Sequence, residues 1–227
     1  MINTRWIITF DLETDGKDPN TCNIVQLAAV PIHPRTLEIR KDEAFNISIK
    51  PPGIDKEDYF TDDRVDCITN FHAKHLQCSP EEIIEKWKQG VAEKTALKQF
   101  NSYLKKYEVA KKPGQWFPAP IPGGINITDY DIVILKRLCK KHKMKYPFSE
   151  VNKMDILHEL FWWWENLEEP FDYKMDTIRQ FLSISSQGTA HDALTDVFEE
   201  SEIIVRFMQF HRKQSTVAKF KGSFAKG

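Results

Sequence analysis

Asp11 and Glu13 stand two residues apart at the end of the apolar run Trp6-Ile7-Ile8-Thr9-Phe10. Such a run suits a β-strand covered on both faces. Side chains alternate along a strand, so both carboxylates project to the same side. Adjacent acids at the end of an apolar strand repel each other and are costly to desolvate. A divalent cation relieves both problems, and oxygen-only ligands favour Mg²⁺ or Mn²⁺ over zinc. A second group is Asn126-Ile127-Thr128-Asp129-Tyr130-Asp131, with Asp131 at a helix start. A third is His191-Asp192-Ala193-Leu194-Thr195-Asp196, with Asp196 about one and a half helical turns after His191. Taken singly, each has an ordinary explanation. A strand end is solvated, a first-turn acid favours the helix dipole, a histidine caps a helix and an aspartate lies on an exposed face.

The elements that must position these groups are legible in outline. After the first strand, residues 14–20 form a polar turn. Residues 22–31 and 45–49 read as second and third strands, so the chain opens with an antiparallel meander. Residues 68–76 suit a short helix, and Ser79-Pro80-Glu81-Glu82 is a helix start with an N-cap and a proline at the first position. Leu97, Phe100 and Leu104 form the apolar stripe of a helix over 91–107. Residues 111–122 form a loop, and 121–126 a short strand or turn approach. Helices follow over 130–142, 155–164, 177–182 and 192–211, the third group opening the last of these. Strands first and alternating helices afterwards predict an α/β fold with a mixed sheet.

At 227 residues the chain is one domain or a domain with an appendage. Its net charge of −1 means that overall charge does not mark a nucleic-acid partner, although local patches can. Cys22, Cys67, Cys78 and Cys139 show no paired spacing and, with no signal peptide, are expected to be reduced thiols of a cytoplasmic protein. No apolar run approaches the roughly 18 residues of a membrane span.

Together, the three groups resemble the motifs of the DEDDh 3′–5′ exonucleases, the family that includes the proofreading subunit of bacterial DNA polymerase III, RNase T and oligoribonuclease. Asp11-Leu12-Glu13-Thr14 matches the first motif, Asn126 through Asp131 the second, and His191 through Asp196 the third. The resemblance covers about residues 5–210. It implies a ribonuclease-H-like fold, a mixed five-stranded sheet flanked by helices, within an exonuclease domain over 1–211 and ahead of a basic tail over 212–227. It also implies hydrolysis assisted by two divalent metal ions, Mg²⁺ or Mn²⁺, about 4 Å apart. Asp11, Glu13, Asp131 and Asp196 are the implied metal ligands, and His191 the implied general base, its ordinary pKa near 6.5 suiting that role. Leu12 and Thr14 are expected to bind the terminal nucleotide; Asn126 either touches substrate or shapes the turn.

The expected reaction releases nucleoside monophosphates from the 3′ end of single-stranded DNA. The alternative is a 3′–5′ exoribonuclease or oligoribonuclease, and the second alternative is a polymerase-accessory nucleic-acid-binding module in which catalysis is incidental. All four acids and the histidine are present, which favours an enzyme. No polymerase domain follows, so polymerase association would be between chains, and nothing supports it. Trp116, Phe117 and the run Phe161-Trp162-Trp163-Trp164 are candidates for stacking on bases. Consecutive residues point all round a helix, so at least one tryptophan of the run belongs to the core. The tail holds Arg212, Lys213, Lys219, Lys221 and Lys226 without an acid, and reads as a solvated end or a mobile arm on phosphate.

Overall fold

The computed structural model describes residues 4–109, 118–165, 167–168, 172–185 and 192–217. Six strands form one mixed sheet in the order β4-β3-β2-β1-β5-β6. They are β1 (Ile7–Thr14), β2 (Ile24–Ile32), β3 (Phe45–Lys50), β4 (Val91–Ala92), β5 (Ile121–Gly124) and β6 (Met154–Asp155). β1 lies at the centre, antiparallel to β2 and parallel to β5. β2 is antiparallel to β3, while β4 and β6 extend the two edges in parallel. The sheet therefore has one strand more than expected. Val91 and Ala92 pair with Ile49 and Lys50 instead of opening a helix. Two residues of strand leave too little periodicity to be read in a sequence.

The helices are α1 (Asp62–Asp66), α2 (Lys74–Leu76), α3 (Pro80–Lys88), α4 (Glu93–Lys105), α5 (Asp131–Lys141), α6 (Ile156–Trp164), α7 (Met175–Phe181) and α8 (Ala193–Val217). A π-helical segment, Cys67–Ala73, joins α1 to α2. α3 begins with the expected capping box: Ser79 Oγ accepts from the Glu82 amide, and the Glu82 carboxylate accepts from the Ser79 amide.

Each face of β1 has its own core. Ile8, Phe10 and Leu12 pack with Leu97, Phe100 and Leu104 of α4 and with Leu135 and Leu138 of α5. On the other face Ile7 packs with Ile203 and Ile204 of α8 and with Ile156 and Leu160 of α6. Alternation then fixes the rest of the strand. Asp11 and Glu13 share the side of Ile7 and Thr9, the side that α8 covers. α8 crosses β2 on small residues, Ala193 and Val197 against Ala28 and Val30, which lets its first turns come close to the acidic end of β1.

α8 runs on past the expected end at His211, and Arg212 donates to the carbonyls of Pro34 and Arg35. Lys219, Lys221 and Lys226 of the basic tail lie outside the described residues, as do Trp116 and Phe117. The four cysteines are free thiols. Among the described residues no helix is long and apolar enough to cross a membrane.

Candidate active site

Three elements meet where β1 ends: the strand itself, the N-terminus of α5 and the N-terminus of α8. Asp11, Glu13 and Asp196 each offer a carboxylate oxygen, and the three oxygens lie within 4.8 Å of one another. Asp131 is the first residue of α5 and is buried. Its Oδ1 accepts the Leu12 amide at 3.1 Å, which ties the second motif to the middle of the first. The structure thus brings all four predicted acids to one place. His191 lies outside the described residues.

The cleft beside these acids measures about 300 Å³, and Leu12, Thr14, Lys17, Phe71, Asn126 and Tyr130 are among the residues that line it. Leu12 is 5% exposed, its side chain held in the core and its amide taken by Asp131. Thr14 Oγ1 donates to the Gly16 carbonyl at 2.8 Å, and Tyr130 Oη donates to the same carbonyl at 2.9 Å. Asn126 has a φ of 55°, the left-handed region that asparagine tolerates better than most residues. It is therefore both a turn residue and part of the cleft wall.

Asp155 holds that turn from below. Its Oδ1 accepts the amides of Asn126 and Leu157, and its Oδ2 accepts Thr128. Tyr130 is the N-cap residue of α5 and makes no side-chain cap bond. His72, from the π-helical segment, supports the other wall. Its Nε2 lies 2.8 Å from the Thr14 carbonyl, an acceptor, so that nitrogen carries the proton. Burial holds the ring pKa below its usual value, and Nδ1 lies 4.0 Å from Glu13 Oε2.

Two further acids border the site. Asp192 accepts from Gln26 Nε2 at 2.8 Å. Glu200 follows Asp196 by one turn of α8, is 4% exposed, and accepts the Ile125 amide at 3.1 Å. Gly124 makes room for it: a Cβ there would meet Ile127 Cγ2 at 2.6 Å and Glu200 Oε2 at 3.0 Å. Glu200 was open to sequence reasoning. Residues 193, 197, 200 and 204 form one helical stripe, and Glu200 is its charged member among Ala193, Val197 and Ile204.

The carboxylates are in electrostatic conflict. Burial pushes the Asp11 carboxyl up to about 7; the Leu12 amide pulls it down and the Asp192 charge pushes it further up. Glu13 is raised well above its usual range by burial and then by Asp11, Asp196 and Asp131. Asp131 and Glu200 are raised by burial and then by Asp11. Among the described residues no lysine or arginine pairs with Asp11, Glu13, Asp131 or Glu200, and Lys17 at the rim pairs with Asp66. Oxygen-only ligands that converge in this way fit a hard divalent cation.

The aromatic run on α6 divides as its position predicts. Trp164 is buried, whereas Phe161 and Trp162 are exposed. None of them lines the cleft; Phe71 does, and sequence reading did not single it out.

No protein-family model and no curated protein sequence matches this chain. Solved structures do. The nuclease domain of 3′hExo, a DEDDh family member bound to rAMP, superposes with a TM-score of 0.61 at 17% identity, over 91% of this chain and 93% of that one. The chain shares the exonuclease fold. E. coli exonuclease I in complex with a dT13 oligonucleotide gives a TM-score of 0.65 at 16% identity, over 92% of this chain and 44% of its own. Cell-death related nuclease 4 gives 0.61 at 16% identity, and this chain spans 64% of its length. The ribonuclease-H-like architecture expected from the motifs is thus the architecture found.

Proposed function

We propose that this chain is a divalent-cation-dependent 3′–5′ exonuclease that removes nucleoside monophosphates from single-stranded DNA. The observation that carries this reading is the convergence of Asp11, Glu13 and Asp196, with Asp131 beside them, at a cleft that Asp11, Glu13 and Asp131 line. Four acids from three distant stretches of sequence meet on a fold whose solved neighbours are nucleases. A non-catalytic accessory module would have no need to keep that costly arrangement.

Asp11, Glu13, Asp131 and Asp196 would hold the cations. A bound pair supplies charge that activates a water and stabilises the leaving oxygen of a phosphodiester. The protein's own groups set the geometry. Asp131 fixes the backbone at Leu12, and Tyr130 fixes the Thr14–Gly16 turn, so the cleft floor is preorganised. His191 is assigned as the base that takes the water's proton on the strength of the motif alone.

The RNA reading has its own support. The nuclease domain of 3′hExo, 93% of whose length this chain covers, was solved with rAMP. DNA is kept as the first reading because exonuclease I, bound to a deoxythymidine oligomer, superposes at the higher TM-score. The test is to incubate protein with 3′-labelled and 5′-labelled single-stranded DNA and with matched RNA, in Mg²⁺, Mn²⁺ or EDTA. Stepwise shortening from the 3′ end that requires the cation supports the proposal, and the rate ratio between polymers chooses the substrate. Absence of hydrolysis of both polymers and of short oligonucleotides, by folded protein with cation, would overturn it.

A further inference from the structure

Glu199 and Glu200 are consecutive and buried, at 3% and 4% exposure, yet their surroundings are opposite. Glu199 turns to α7, where Arg179 Nη1 donates to its Oε1 at 3.2 Å and Nε lies 3.0 Å from its Oε2. That carboxylate is neutralised. Glu200 turns to the sheet, and the charges that act on it are Asp11, Asp131 and Asp196. Its Oε1 accepts the Ile125 amide, but its Oε2 is fully buried and has no hydrogen-bond partner.

A buried, unpartnered polar atom costs on the order of 1–3 kcal/mol, and more when charged. An apolar side chain would fit the stripe of Ala193, Val197 and Ile204 without that cost. A glutamine would keep the bond to Ile125 and bring no charge. Position 200 instead carries an acid whose electrostatic neighbours are three other acids, one turn from Asp196 on α8. The bond to Ile125 needs an acceptor and not a charge, whereas a cation site needs the charge.

We propose that Glu200 is a fifth acid of the cation site, whose charge sets cation affinity while its Oε1 holds the turn that carries Asn126. This rests on the cation-dependent reading of the cleft. Groups that support metal ligands typically change affinity about 10- to 100-fold when altered. Calorimetric titration of the intact protein with Mn²⁺, without substrate, reads this directly, and a melting curve in EDTA establishes that each variant is folded. Glu200→Gln is expected to weaken Mn²⁺ binding about tenfold. Glu200→Met, which fills the same space without an acceptor, is expected to weaken it at least as much, and Glu200→Asp to retain more affinity than either. A neutral variant that binds Mn²⁺ within twofold of wild type overturns the proposal. So does tighter binding by Glu200→Gln than by Glu200→Asp, which would mean that Glu200 only holds the turn. Failure of the wild type itself to bind Mn²⁺ saturably would instead remove the cation-dependent reading, and this proposal with it.

Discussion

Removing the cations should make the stability of this protein fall as pH rises from about 4 to 7, against the usual behaviour of buried carboxylates that gain a partner. The group that sets the window is Asp11, whose carboxyl moves from 3.8 to about 7 on folding, chiefly through burial. Between those values the folded state binds a proton that the unfolded chain has released. Stability therefore has a negative slope with pH there. The contribution is complete below the unfolded value and is lost as pH rises through about 7. At about 1.36 kcal/mol per pH unit, the interval corresponds to about 4 kcal/mol. Asp11 keeps a partly exposed edge on the cleft, so this is a ceiling, and about 2 kcal/mol is a fairer expectation. Glu13, Asp131 and Glu200 are displaced in the same direction and deepen the fall. Asp18 and Asp66 are held low by hydrogen bonds from Asn20 and Asn70, so their opposite effect falls below this window, whereas His72, whose ring pKa burial holds below its usual value, opposes the fall up to about pH 6.5 and leaves it unopposed above.

Melting curves in EDTA between pH 5 and 8 test this. For a chain of this size, about 2 kcal/mol corresponds to roughly 4–8 °C in melting temperature. Saturating Mn²⁺ should flatten the slope, because the ionised cluster is then the bound form. Asp11→Asn removes a titrating group, and its cation-free protein should melt above wild type at pH 8. A wild-type curve in EDTA that is level or rises with pH would refute the electrostatic account of the cleft. An Asp11→Asn curve parallel to wild type would refute the part assigned to Asp11.

Asp196→Ala and Asp11→Ala should each abolish hydrolysis by loss of cation binding; retained activity with unchanged Mg²⁺ dependence would contradict the ligand assignment. His191→Ala should cut turnover by roughly 10² to 10⁴ while Mn²⁺ binding measured calorimetrically persists. Tyr130→Phe removes the bond to the Gly16 carbonyl and should cost about 1 kcal/mol in denaturant unfolding, with a rise in KM for oligonucleotide. Gly124→Ala places a Cβ 2.6 Å from Ile127 and 3.0 Å from Glu200 Oε2, so it should destabilise the fold by about 1–3 kcal/mol and weaken Mn²⁺ binding; wild-type behaviour in both would show that the neighbours yield freely.

How much of this was written in the sequence follows the length and regularity of the elements. β1 and β2 are eight and nine residues long, and their apolar runs mark them. The acids at the end of β1 then follow from the two-residue period of a strand. β4 and β6 are two residues each and are made by tertiary pairing, not by any local preference. The segment from 62 to 76 mixes α and π turns, and no single helical period describes it. That is why His72 and Phe71 at the cleft wall escaped notice. Asp155 escaped for a different reason. It reads as an ordinary helix cap, and it is one for Leu157, but its second role toward Asn126 and Thr128 depends on β5 and β6 lying side by side.

Two helix N-termini meet the end of β1, and their dipoles favour negative charge there. A dipole contributes roughly 0.3–1 kcal/mol per acid, and at most about 2. Removing one carboxylate from water costs several kcal/mol even after relaxation. The hydrogen bonds that the cluster receives, from Leu12 to Asp131 and from Ile125 to Glu200, add on the order of 1.5–3 kcal/mol each for a charged acceptor. These terms cannot offset four or five ionised groups that also repel one another. Protonation relieves the conflict at low pH, which is what the raised carboxyl of Asp11 expresses, and cations relieve it at neutral pH. On the proposed function, cation binding and folding would therefore be coupled: the free energy gained when cations enter the cleft would in part be the strain that the acids impose on the cation-free fold.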